Sequence, residues 1–111
     1  MRDVFLGNEW LEEYVSTVEK IKDIEEDIQK SLALNTEDQA KLAKKEKERL
    51  STRLENLFPS PVRCLSEIVF YYAIELSRID FSREGIKQIV RTHVEYYLQS
   101  PQLFIQLSLK S

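Results

Sequence analysis

Ser31-Leu32-Ala33-Leu34-Asn35-Thr36-Glu37-Asp38-Gln39-Ala40 decides the fold of this chain. Its middle is polar and turn-forming. Apolar residues recur on both sides at helical spacings of three, four and seven. Reflected about this turn, the two flanks match. Leu32 falls on Ala40, Ile28 on Ala43, Ile21 on Leu50, Val18 on Leu54 and Tyr14 on Leu57. A short connection makes two helices antiparallel neighbours, so the match predicts a helical hairpin with a defined register. The same reflection sets Glu25 opposite Lys47. A charged pair inside an apolar seam costs stability but penalises slipped pairings, so Glu25 and Lys47 are expected to pin the register.

Upstream, Asn8 is the expected cap of the first helix, with Glu12 and Glu13 near its positive end. Leu11, Tyr14, Val18, Ile21, Ile28 and Leu32 form its stripe. Thr36 with Gln39 three residues later predicts a capping box for a second helix over about 37–58. The hairpin therefore occupies about residues 9–58.

Downstream, Pro59-Ser60-Pro61 ends the second helix and predicts a third over roughly 61–79, with Ser60 as cap and Pro61 in the first turn. Ile68-Val69-Phe70-Tyr71-Tyr72-Ala73-Ile74 leaves it apolar nearly all round, which calls for burial on several sides. Its β-branched and aromatic content also permits a strand, but the unbroken length favours a helix. Ser82 predicts the cap of a fourth helix over about 83–98, with Ile86, Ile89, Val90, His93, Val94 and Tyr97 facing inward. After Pro101 the pattern admits either a short helix carrying Leu103, Phe104 and Leu107 or an extended tail. The fold class is all-α: a coiled-coil-like hairpin, then two or three packed helices in a part spanning about 61–109. The 111 residues fit a single domain.

Composition narrows the function. The net charge is −3, split as −4 over residues 1–59 and +1 over 60–111. An acidic first helix disfavours nonspecific polyanion binding there. A single cysteine cannot form an internal disulfide, and residues 1–13 lack the apolar core of a signal peptide. With no apolar run near the ~20 residues a membrane span needs, the expectation is a cytoplasmic protein without membrane attachment.

Chemical motifs are sparse. Gly7 and Gly85 are too far apart for a phosphate-binding loop. One His and one Cys fall short of a metal-ligand set, so no metal or cofactor is expected. Cys64 beside Arg63, near a helix start, has the setting that activates a thiol, and His93 could serve as its base. Free cysteines and lone histidines on apolar stripes are nevertheless more often core residues. Arg83, Lys87 and Arg91 recur every four residues and form a basic stripe that could touch nucleic acid.

The apolar surplus of the carboxyl half is the stronger signal. It leads to a non-enzymatic interaction protein, an adaptor or assembly subunit acting through helix packing, with a homo-oligomer (a dimer) as the first expected partner. Phe70, Tyr71, Ile74, Phe104 and Leu107 are the expected association residues. The alternatives are a nucleoprotein subunit using Arg83, Lys87 and Arg91, and a small enzyme built on Cys64 and His93.

Overall fold

The computed structural model describes residues 5–100, and Phe104, Leu107 and the helix-or-tail question lie outside them. The described chain is all-α. Helix α1 (Asn8–Ala33) and helix α2 (Glu37–Asn56) form the hairpin. A 3-10 turn (Ser60–Leu65) leads into α3 (Ser66–Arg78), and α4 (Arg83–Leu98) follows.

The hairpin turn works differently from the expected capping box. Asn35 adopts a left-handed conformation, φ 59°. Its N–H donates to the Leu32 carbonyl, and the Thr36 N–H donates to that of Ser31 at 2.8 Å. This pair of bonds is a Schellman motif, which closes the carboxyl end of a helix. The Thr36 hydroxyl also donates to the Ser31 carbonyl, at 3.0 Å. It therefore finishes α1 and makes no side-chain cap on α2. Asn tolerates the left-handed region better than other non-glycine residues, so Asn35 was the informative residue of the turn.

Glu25 Oε2 lies 3.0 Å from Lys47 Nζ, the pairing the reflection implied. Ile21, Val18, Leu50 and Leu54 are buried in the hairpin seam. Toward the tip the seam opens, and Leu32 is 45% exposed. The main core therefore sits at the open end of the hairpin. There α3 and α4 pack against α1, and one continuous apolar cluster draws on every helix.

An aromatic group closes that end. Trp10 stacks on Tyr14 with centroids 5.0 Å apart, and Phe58 meets both rings edge-on. Phe5 packs against Trp10 and Phe58. Trp10 Nε1 donates to the Leu57 carbonyl at 2.7 Å, which satisfies a terminal carbonyl of α2. Leu57 is thus the cap, and α2 ends at Asn56 instead of Phe58. The start of α1 is also shifted. Gly7 is the cap and Asn8 is already helical, with no side-chain cap bond. Packing of Phe5 on Trp10 sets that start, together with a left-handed Leu6 (φ 67°) whose carbonyl accepts from Arg91 Nη2 at 2.8 Å.

The expected third helix is broken in two. Val62 leaves helical geometry at φ −117°, ψ 16°, and the cap position falls on Pro59 instead of Ser60, which is already the first residue of the 3-10 turn. Arg63 Nη2 donates back to the Phe58 carbonyl, and Leu65 is fully buried. The chain must turn sharply after Phe58 to bring Leu65 into the core, and a continuous α-helix from Pro61 cannot do that. Along α3, Val69, Ala73, Ile74 and Leu76 are buried while Tyr71 and Tyr72 face out. Helix α4 keeps its expected limits. The Ser82 hydroxyl accepts from the Gly85 N–H at 3.0 Å, and Ile86, Val90 and Val94 are buried.

Two measurements test this packing. Tyr14 is fully buried, and no donor or acceptor among the described residues reaches its hydroxyl. Tyr14→Phe should leave stability unchanged or raise it by about 1 kcal/mol, because it removes a buried unpaired polar group. A loss of more than that in chemical denaturation would mean that the hydroxyl has a partner. For the register pair, a double-mutant cycle of Glu25→Ala and Lys47→Ala should give a coupling of about 0.2–1 kcal/mol, the range for partly exposed pairs.

Candidate functional site

The basic stripe of α4 turns inward. Arg83 Nε donates to Glu12 Oε1 at 2.8 Å, and its other nitrogens reach Glu19 and Ser16. The Lys87 side chain is only 6% exposed; it pairs with Glu12 and, at 2.8 Å, with Glu84. Arg91 is tied to the Leu6 carbonyl. The acidic face of α1 thus meets the basic face of α4, two patterns that are far apart in sequence. Hydrogen bonds from Lys87 and Arg83 hold the Glu12 carboxyl below the ordinary glutamate range. Bonds to Glu12 and Glu84 raise Lys87 above the ordinary lysine value. Arg83 and Lys87 clamp α4 to α1, Arg91 ties it to the segment before α1, and the three do not form a solvent-facing row.

Glu25 has a second partner. Arg78 Nη2 lies 3.1 Å from Glu25 Oε1, so one carboxylate bridges α2 and α3. Lys22 Nζ donates to the Ser77 carbonyl at 3.3 Å beside it. Together they tie the carboxyl end of α3 to the middle of α1.

The expected association residues separate. Ile74 is 4% exposed and belongs to the core. Phe70 is half-buried and touches Tyr71, which is 61% exposed. Both line an open groove along α2. With an adjoining cavity over Ile28, the lining along α2 runs from Lys44 to Glu55, eleven residues or about 17 Å at 1.5 Å per residue.

A second apolar surface went unrecognised in the sequence. Tyr72 of α3 stacks on His93 of α4 at 4.2 Å, nearly parallel. His93 meets Tyr97 edge-on, and Tyr97 meets Tyr96. The result is a continuous aromatic row across α3 and α4, with Tyr96 58% exposed and Tyr72 37% exposed. Partial burial pushes the His93 pKa below its ordinary value, which favours the uncharged ring at neutral pH. The spacing of Tyr72 on one helix against His93 and Tyr97 (i, i+4) on another was the available signal, but only the antiparallel α3–α4 pairing brings them together.

Cys64 is half-buried in the 3-10 turn and packs against the core. His93 is engaged by two tyrosines. Among the described residues, no group of three or more His, Cys, Asp or Glu side chains is placed to hold a metal ion. Among the same residues, no helix is long and apolar enough to cross a membrane.

The fold and its surfaces define an all-α hairpin bundle that carries an aromatic row on its outer helices. No family model, curated protein or solved structure matches the chain.

The α1–α4 clamp has a defined pH signature. Glu12 has a lowered folded pKa, so its contribution is present above the unfolded glutamate value of about 4.3 and is lost as pH falls through the lower folded value. Lys87 has a raised folded pKa, so its contribution is present below the unfolded lysine value and is lost only as pH rises through the higher folded one. Glu12→Gln should therefore flatten the acid limb of a stability–pH curve from denaturant titrations and leave the region between pH 6 and 8 parallel to wild type. An unchanged acid limb would remove Glu12 from the clamp's energetics.

Proposed function

We propose that this chain is a non-enzymatic interaction or assembly protein that acts through helix packing, with a second copy of itself as first partner. The aromatic row of Tyr72, His93, Tyr97 and Tyr96 carries this reading. Aromatic side chains that are half exposed in one chain are the usual anchors of association. The row consists of three tyrosines and a His93 ring whose partial burial favours the uncharged form. A symmetric dimer presents the same patch on both subunits, so a patch without charge does not repel its copy. Part of the apolar surplus that suggested association from sequence lies in this row rather than at Ile74.

A cytoplasmic setting belongs to the same proposal, supported by the single cysteine of the sequence. The nucleic-acid alternative loses its strongest support because Arg83, Lys87 and Arg91 are engaged with α1 and the segment before it.

Light scattering coupled to gel filtration, over a micromolar concentration series, tests the proposal. Wild type should show a concentration-dependent dimer. The Tyr72→Ser, Tyr96→Ser double variant should shift the equilibrium toward monomer by about tenfold or more, while keeping the helical circular-dichroism signal. A wild-type protein that stays monomeric throughout the series would overturn the reading.

A further inference from the structure

The groove along α2 is a separate surface from the aromatic row. It consists of two adjoining cavities that share Glu25, Lys47 and Ser51. The larger, about 760 Å³, lies over Ile28 between α1 and α2 and reaches Arg78. The smaller, about 240 Å³, continues between α2 and α3 to Phe70 and Tyr71.

The groove exists because short side chains stand where a helix–helix seam would need large ones. Ser51 and Thr52 line it from α2, and Ser66 from α3. Helices α2 and α3 accordingly touch much less than α1 and α2 do. Each cavity has an apolar part, Ile28 in the larger and Leu54, Phe70 and Tyr71 in the smaller, and the Glu25–Lys47 ion pair lies where the two meet.

The rim states the charge of an occupant. Five carboxylates line the two cavities (Glu25, Glu26, Glu48, Glu55 and Glu67) against three cations, Lys44, Lys47 and Arg78. Two of those cations, Lys47 and Arg78, are already paired with Glu25. Glu55 and Glu67 stand on opposite walls beside Phe70 and Tyr71, and neither has an ion-pair partner among the described residues. A span of about 17 Å matches roughly three turns of helix.

From these features we propose that the groove docks a basic amphipathic helix of another protein. Its apolar stripe lies on Ile28, Phe70 and Tyr71, and its Lys or Arg residues reach Glu55 and Glu67. This is helix-in-groove recognition with a charged rim that sets orientation and encounter rate. The inference does not depend on self-association through the aromatic row, which is on the α3–α4 face.

Fluorescence anisotropy with a labelled helical peptide of Leu and Lys, about three turns long, tests it on the full chain. The expected result is saturable binding that weakens with added salt. The same composition with its apolar stripe scrambled should bind at least about tenfold more weakly. Glu55→Lys with Glu67→Lys, both at exposed positions, should also lower affinity about tenfold. Tyr71→Ser should lower it without loss of helical signal. Amide shifts on titration should centre on Ser51, Ser66, Phe70 and Tyr71. Equal binding of the scrambled peptide, or shifts centred on Tyr72 and Tyr96, would overturn the proposal. So would undetectable binding at low salt. If the groove variants instead change the oligomeric state of the chain without peptide, the occupant is a second copy and the proposal also fails.

Discussion

The contact of Trp10 with Phe58 and Leu57 organises the molecule. Its indole N–H satisfies a terminal carbonyl of α2, and its ring supports Phe58, which Tyr14 and Phe5 also meet. A helix end left unpaired inside the protein is costly, so this one bond lets α2 stop in an apolar setting. The chain then turns at Pro59 under a hydrogen bond from Arg63 to the Phe58 carbonyl and delivers Leu65 to the core. Without that arrangement at the open end, α3 and α4 would have no platform. The paired helices alone bury too narrow a stripe to be stable in water.

Opposite charge supplies a second constraint. The carboxylates of α1 at Glu12 and Glu19 receive Arg83 and Lys87 of α4, while Glu25 receives Arg78 of α3. Each of these ties one outer helix to α1 at a definite height. They also explain why the outer surface is aromatic rather than basic. Once the charged face of α4 is directed at α1, its neighbouring face, with His93 and Tyr97, lies beside Tyr72. The proposed interaction surface is thus a consequence of where the ion pairs point.

Much of this was legible in the chain. The reflected stripes specified the hairpin, and Glu25 opposite Lys47 emerged as a real contact. Ser82 marked the start of α4 because its cap bond is local, to Gly85 three residues on. Other local signals were misread. Thr36 carries a capping-box pattern, yet its hydroxyl finishes the preceding helix, since a left-handed Asn35 turns it toward Ser31. Ser60 and Pro61 suggest a clean helix start, yet the pull of Leu65 into the core kinks the chain at Val62. Trp10 had no special standing in the pattern, because its importance lies in a bond spanning 47 residues.

Helical periodicity is a property of neighbours in the chain, so the all-α class, the limits of α4 and the hairpin register follow from residue order. The outward face of each helix is settled by the partner that arrives to cover the other. Ile74 and Tyr71 sit three residues apart in one apolar segment, but one is core and the other is solvent-facing. Arg83, Lys87 and Arg91 form a basic stripe in isolation, and an acidic helix some seventy residues earlier takes up Arg83 and Lys87. Long-range packing and charge pairing distribute burial among faces that look alike in sequence, and they place the candidate surfaces.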